Sequence, residues 1–192
     1  MRKIVFATNN NHKLKEVRDL ASGIVEIVSL SEIGCSEEIP ETGTTLNENA
    51  SQKSHFVYNK YGIDCFADDT GLEIEALDGR PGVYSARYAG EGCSFEDNTD
   101  KILKELENIE NRQACFRTVI SLILDGEEIH FEGRIDGRII RKRSGKKGFG
   151  YDPVFVPDGY TQTFAEMPLE LKNAISHRGQ AMRKMIDFLK VL

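Results

Sequence analysis

Five short stretches hold the side chains with the most chemistry to offer. In Thr8-Asn9-Asn10-Asn11-His12-Lys13 an apolar run ends in a polar turn and a helical pattern begins. The first turn of a helix presents unpaired N–H groups and the positive end of its dipole, which suits an anion. His12 and Lys13 are donors at that end, where a cation costs the helix about 0.3–1 kcal/mol unless a phosphate reverses the sign. A cap at Asn10 or Asn11 beside a solvated Lys13 is the reading that asks for no ligand. In Asp68-Asp69-Thr70-Gly71 two adjacent carboxylates follow an apolar stretch. They repel one another, and magnesium, which takes carboxylate and water oxygens, would accept one or both. Gly71 then reads as a turn residue with a φ that other residues resist, and a turn whose aspartates cap backbone N–H groups is the plainer alternative.

The other three stretches extend the same theme. Glu41-Thr42-Gly43 precedes Glu48-Asn49-Ala50 and Lys53. Lys53 borders the apolar stripe of a helix, where its stem can snorkel along the core or its ammonium can reach a phosphate. Gly148-Phe149-Gly150-Tyr151-Asp152-Pro153 is no dinucleotide fingerprint, because Pro153 stands at the last glycine position. Its glycines permit close backbone approach, and Phe149 and Tyr151 offer faces for a purine. Lys172 and Ser176-His177-Arg178 close the set, with Ser176 a good helix cap. His177 and Arg178 behind it disfavour the helix unless an anion or an acceptor-rich base edge sits there, although a capped surface helix with solvated basic residues also fits. Together these are several cationic donors, at least two carboxylates and an aromatic glycine loop, the set that a magnesium nucleoside triphosphate requires.

Composition narrows the classes. The chain has 192 residues, 25 Lys and Arg against 31 Asp and Glu, and a net charge of −6. Nucleic acid backbone calls for clustered positive charge, so no nucleic acid partner is expected and any anion must be held by a local site. The four cysteines form no CxxC pair, which argues against a zinc ribbon or a thioredoxin-like motif and for reduced thiols. The apolar run Ile4–Ala7 is far shorter than a signal-peptide core, and no stretch approaches a membrane helix. The expectation is a cytoplasmic protein with no membrane partner.

Elements must then position these residues. Ile4–Ala7 reads as a buried strand, followed by a helix through Leu14, Val17 and Leu20. Ile24–Leu30 reads as a second strand, residues 31–45 as loop, and Leu46 to Tyr61 as a helix. Asp64–Ala67 reads as a strand ending at the Asp68–Gly71 turn, and Leu72–Leu77 as a further strand with one wet face. Gly79–Gly92 reads as loop and Phe95–Leu106 as helix. Ala114–Leu124 and Glu127–Ile140 form a hairpin through Asp125-Gly126. Gly148–Phe155 leads into a short strand, and a helix from Ser176 to Leu189 ends the pattern. Alternating strands and helices with a central hairpin predict an α/β fold with a mixed sheet, as a single domain over 1–192 in which no linker suggests a cut.

The blocks Thr8-x-Asn10-x-x-Lys13, Glu41-Thr42-Gly43, Glu48-Asn49-Ala50, Ala67–Leu72, Gly79–Arg87, Gly148–Pro153 and Ser176–Gly179 run through nearly the whole chain. In that order they resemble the inosine-triphosphate pyrophosphatase family, enzymes that hydrolyse non-standard purine nucleoside triphosphates (dITP/ITP, XTP/dXTP) to the monophosphate and pyrophosphate. The resemblance implies a long mixed central sheet with flanking helices, two lobes around a substrate cleft, and a homodimer. It implies that Thr8, Asn10 and Lys13, with the backbone of Asn9, Asn11 and His12, hold the phosphates with help from Lys53. Glu41 and Asp69 would serve Mg2+, with Asp69 also the base, and Thr70 would contact substrate. Phe149, Gly150, Tyr151, Asp152, Lys172, His177 and Arg178 would receive base and sugar. Thr70 departs from the Ser of many bacterial relatives but keeps the hydroxyl. The sister family, the septum-inhibitor-like pyrophosphatases, fits the 148–153 and 176–179 blocks less well.

Overall fold

Period-two alternation organises the first strands. The computed structural model describes residues 2–191 and divides into two compact units. One comprises the chain up to Asp69, Thr118–Gly133 and the chain from Arg178 on, and the other Thr70–Arg117 and Arg134–His177. The first unit holds β1 (Lys3–Phe6), α1 (Asn11–Ala21), β2 (Glu26–Ser29), α2 (Leu46–Tyr61) and the first half of β3 (Cys65–Ile74). It also holds the joined ends of β5 (Gln113–Leu124) and β6 (Glu127–Ile139), and α5 (His177–Lys190) from Arg178 on. β1 lies parallel to β2 and to β3, with Ile4 opposite Ile27 and Phe6 opposite Phe66. Side chains on a strand alternate between faces, and the cores follow. Ile4, Phe6, Phe66, Ile120 and Leu122 pack with Val17 of α1 and Met182 of α5. Val5, Ala7, Cys65, Ala67 and Ile123 pack with Val57 of α2.

Local chemistry sets the ends of these elements. The Thr45 side chain and Glu48 form a capping box at the start of α2, and Gly62 in the left-handed conformation (φ 63°) stops the helix,. Asp125 (φ 50°) and Gly126 (φ 90°) turn β5 into β6, the backbone that a tight hairpin requires.

The second unit holds the remainder of β3, β4 (Pro81–Gly82), α3 (Phe95–Glu105), the outer parts of β5 and β6, β7 (Phe155–Pro157) and α4 (Leu169–Ile175). Its core is built on Leu72, Ile74, Ile102, Phe116, Phe155 and Phe164. β4 is antiparallel to β3 and β7 to β6. Hydrogen bonding orders the strands β2-β1-β3-β5-β6-β7, with β4 on β3, so the sheet is mixed as expected. The unit boundaries fall inside β3, β5 and β6, which is why the sequence carries no linker. No helix among the described residues is long and apolar enough to cross a membrane.

Several expectations need correction. Asp68-Asp69-Thr70-Gly71 is no turn: it lies in the middle of the ten-residue strand β3, which runs through to Ile74 and ends in a helical turn at Glu75–Leu77. The loop 79–92 contains β4 and a second helical turn at Ser85–Arg87. Residues 148–154 form turns that lead into β7 only at Phe155. The helix α4 has no counterpart in the sequence reading, because its seven residues fall below the length at which helical periodicity declares itself,.

Gly71 is glycine for a reason other than a turn. A Cβ there would meet the Gly82 carbonyl oxygen at 2.8 Å and its carbon at 3.0 Å, so β4 can approach β3 only where the side chain is absent. Gly71→Ala is expected to destabilise the protein by about 1–3 kcal/mol, read in urea unfolding as a lowered midpoint with an unchanged slope. An unchanged midpoint would show that β4 yields without cost.

Candidate active site

The alternation that builds the core also separates the two carboxylates. Asp68 follows Phe66 in register and points toward the α1 and α5 side of β3, whereas Asp69 follows Ala67 toward α2. Asp68 Oδ1 accepts from Lys13 Nζ at 2.9 Å, and its Oδ2 accepts from Arg178 Nε at 3.0 Å. Arg178 Nη1 donates to Glu16 Oε2 at 2.6 Å. Asp69 Oδ2 accepts from Asn49 Nδ2 at 3.0 Å, and its Oδ1 stands 3.6 Å from Lys53 Nζ. Lys53 also donates to Glu41 Oε1. The expected mutual repulsion of adjacent carboxylates is thus relieved by the pleat, each having cations of its own.

Helix faces bring these partners in. On α2 the buried positions include Leu46, Asn49, Ala50, Lys53 and Val57, so Asn49 and Lys53 occupy the stripe that an amphipathic helix reserves for its core. Arg178 continues the stripe of Ala181, Met182 and Met185 on α5. The Glu41 segment is drawn against α2 by the Gly43 N–H, which donates to Asn49 Oδ1 at 2.8 Å. A Cβ at Gly43 would meet Glu48 Cβ at 2.6 Å. Asn10 is the cap of α1: its side chain accepts the N–H groups of His12 and Lys13, and Thr8 Oγ1 accepts the N–H of Asn10 at 3.2 Å. Two of the first-turn donors are therefore already engaged. Asn9, Asn11 and His12 are exposed, and Thr8 and Thr70 are half-buried.

Burial and charge push these groups apart. Burial alone would raise the Asp68 carboxyl, but Lys13 and Arg178 outweigh it and hold it well below the usual carboxylate range. Burial raises Asp69 above its ordinary value, with Lys53 and Lys13 only partly opposing it. Burial lowers the Lys13 ammonium in spite of Asp68, since Lys53 and Arg178 add to the repulsion. Lys53 goes the other way: burial would lower it, yet Asp69, Glu41 and Asp68 together raise it. Glu41, which burial would raise, is lowered by Lys53. Two neighbouring aspartates with opposite perturbations are the pattern that assigns separate roles to a carboxylate pair.

No group of three or more His, Cys, Asp or Glu side chains among the described residues is arranged to hold a metal ion. Glu41 and Asp69, converging on the Lys53 ammonium, are a two-carboxylate set. Magnesium takes one or two carboxylates and completes its shell with water and phosphate oxygens, so this donor set fits it.

The second unit gathers the aromatic candidates. Lys172 Nζ donates to Asp152 Oδ2 at 2.6 Å and lies 5.0 Å from the centre of the Phe149 ring. The Phe149 N–H donates to Asp152 Oδ2 at 2.9 Å. A Cβ at Gly148 (φ 75°) would meet that same oxygen at 2.0 Å, so this glycine answers both to the turn and to the carboxylate. Gly150 (φ 60°) also needs its glycine backbone. His177 stacks on Phe116 with centroids 4.6 Å apart and planes 12° apart. Tyr151 differs from expectation. Its ring is buried in the core and its hydroxyl donates to the Ser85 carbonyl at 2.6 Å, so it braces the 79–87 loop and presents no open face. Ser176 has an extended backbone immediately before α5.

Sequence gives two residues of the first unit no role: Asn49 stands only inside a block, and Glu16 in none. The available signal was a polar side chain at a core position: Asn49 lies four before Lys53 on the same face, and Glu16 lies three after Lys13.

The model of the Ham1 family matches residues 4–188. The dITP/XTP pyrophosphatase of Porphyromonas gingivalis is 56% identical over 190 residues, covering 98% of both chains. That of Flavobacterium johnsoniae is 52% identical over 187 residues, covering 97% of both. Among solved structures, the Staphylococcus aureus Ham1 protein superposes with a TM-score of 0.89 at 39% identity and covers 99% of both chains. A HAM1 protein from Coxiella burnetii gives 0.91 at 37% identity with full coverage of each.

The opposed carboxylates can be read directly. A carbon-13 titration of the side-chain carboxyls should place Asp69 above the ordinary aspartate midpoint of about 3.9 and Asp68 below it. Asn49→Ala, which removes a hydrogen bond to the charged form, should move Asp69 higher still. Because the folded-state value of Asp68 is depressed, its stabilisation is present above the unfolded value and is lost as pH falls through the folded one. Asp68→Asn should therefore lower the unfolding free energy at neutral pH and flatten its decline below about pH 4. Parallel stability curves for the variant and the parent would overturn this account.

Proposed function

The chain belongs to the Ham1 family, and on that footing we propose that it hydrolyses non-standard purine nucleoside triphosphates, dITP and XTP among them, to the nucleoside monophosphate and pyrophosphate. The relatives named dITP/XTP pyrophosphatase match it along almost the whole of both chains. The observation that carries the chemistry is the split between Asp68, bound to two cations, and Asp69, which faces Lys53 with its carboxyl raised.

Asp69 is the base. Its oxygen takes a proton from water as the water oxygen bonds to the α-phosphorus and the bond to the bridging α–β oxygen breaks. A carboxyl raised above its ordinary value is a better proton acceptor for that transfer than an ordinary one. Negative charge grows on the departing pyrophosphate, and Lys13 and Lys53 are the cations held ready for it, so electrostatic preorganisation supplies much of the acceleration. Lys13 gains most: burial weakens its hold on a proton, and a polyphosphate alongside restores it. Thr8, Asn10 and the backbone of Asn9 and Asn11 complete the phosphate contacts, while the His12 N–H stays on the Asn10 cap. Magnesium, held by Glu41 and Asp69, would neutralise phosphate charge. A homodimer working in the cytoplasm completes the proposal, on the strength of the family resemblance.

The purine falls to Phe149, Gly150, Asp152, Lys172 and His177, with Thr70 near the sugar-phosphate and Arg178 as a donor to the six-oxo group. Adenine presents an amine there, and donors left unpaired against it can discriminate by about 10⁴.

Asp69→Asn should cut kcat by about 10²–10⁴ with the thermal midpoint kept, in an assay that measures pyrophosphate and orthophosphate separately from dITP with magnesium. Near-normal turnover in the variant would remove Asp69 from the role. Release of orthophosphate alone by the parent would replace the reaction itself.

A further inference from the structure

The segment that joins α3 to β5 carries an arginine whose charge no carboxylate meets directly. Arg112 donates from Nη1 to the Leu106 carbonyl, at the cap of α3, at 2.6 Å. Its Nε donates to the Ile139 carbonyl at 2.7 Å and its Nη2 to the Ile140 carbonyl at 3.2 Å. A cation suits the carbonyl end of a helix, and the three bonds stitch α3 to the end of β6. All three acceptors are neutral, so the guanidinium is hydrogen-bonded while its charge is not offset. Burial and the neighbouring Arg141 hold Arg112 below its ordinary value, with Glu110 opposing them.

Arg112 lines a cavity of about 530 Å³, within the range of small-molecule sites. Arg138, Arg141, Glu110, Asn111 and Gln113 share that lining. Arg141 Nη2 donates to Glu110 Oε1 at 2.6 Å. The Glu110 side chain is 90% exposed, so this pair is weak and a ligand can displace it. Arg138 makes no ion pair and no side-chain hydrogen bond among the described residues. The other arginines of β5 and β6 differ: Arg117 meets Glu73 at 3.0 Å, and Arg134 meets Asp136 at 2.7 Å. The Asn111 side-chain oxygen accepts the Gln113 N–H at 3.1 Å, which leaves the amide N–H groups to offer. The cavity thus has three guanidiniums against one carboxylate. Guanidinium forks match phosphate oxygens, and two positive charges in excess call for a dianion.

We propose that this cavity is a second anion site, taking a small phosphate-bearing molecule against Arg112, Arg138 and Arg141. All of its lining belongs to the second unit, none of it takes part in the reaction proposed above, and the inference does not depend on that reaction. The phosphate comes either as a free inorganic anion or on a nucleotide. The test follows the Arg112 Nε–H signal by proton–nitrogen NMR during titration with inorganic phosphate, pyrophosphate and inosine monophosphate. Sodium chloride at matched ionic strength is the control.

At least one phosphate compound should give a saturable shift that chloride does not, and the lowest midpoint identifies the source. Arg138→Gln should raise that midpoint about 10-fold, the lower end for a hydrogen bond to a charged group. Arg138→Lys, which keeps the charge without the fork, should lie between. Turnover of dITP should be the same in Arg138→Gln as in the parent. No saturable shift, an equal response to chloride, or a midpoint unmoved by Arg138→Gln would overturn the site and leave a solvated groove. A loss of dITP turnover in Arg138→Gln would overturn its separateness from the reaction. A parent that does not hydrolyse dITP would instead overturn the proposed function, and the titration would stand.

Discussion

A strand sends neighbouring residues to opposite faces, and in β3 that constraint acts on two aspartates. Had the Asp68-Asp69 pair lain in a turn, both carboxylates would share one environment and titrate as a coupled pair. Inside the strand they face opposite ways and take different first partners: one meets α1 and α5, the other α2. The same alternation that sorts Phe66 and Ala67 into different cores brings Asp68 to Lys13 and Arg178 and Asp69 to Lys53 and Asn49. Gly71 and the close approach of Gly82 serve this arrangement, since β3 must continue as a strand past the pair for the register to hold.

The price in stability is concentrated in a few buried charges. Lys13, Arg178, Glu16 and Asp68 balance two against two, and Lys53 balances Glu41 and Asp69 only in part. Burial leaves Asp69 less acidic than an ordinary aspartate, with Lys53 and Lys13 opposing it only in part, and burial leaves Lys13 readier to lose its proton, with Lys53 and Arg178 adding to the effect. Both departures favour an anionic ligand with a water to activate. A fully compensated cluster would be more stable and chemically idle.

Much of this was legible beforehand, for definable reasons. The long helices α1, α2 and α5 declare themselves by apolar spacing, and Asp125-Gly126 by its turn chemistry. The order of the sequence blocks points to the family, and the blocks include Lys13, Asp68 and Arg178, which the fold joins in ion pairs. The misreadings share one cause. Asp68–Gly71 reads as a turn because Asp and Gly are turn formers, whereas its place within β3, with β5 beside that strand in the sheet and β4 paired just beyond at Leu72 and Glu73, keeps the segment extended. Tyr151 reads as an open aromatic face because sequence does not reveal that its hydroxyl finds the Ser85 carbonyl. Glu16 is legible only as a polar residue on a core face, because its partner Arg178 lies 162 positions away and no local pattern records such a distance.

That distance bears on how the protein is made. Chain elongation runs at about 5–20 residues per second, and 110 positions separate Asp68 from Arg178. For roughly 6–20 s of synthesis the Asp68 carboxylate exists without one of the two cations that permit its burial. A nascent chain therefore carries the carboxylates of the site before it carries the charge that lets them assemble. The buried ion-pair cluster, on this arrangement, is complete only once α5 has been made.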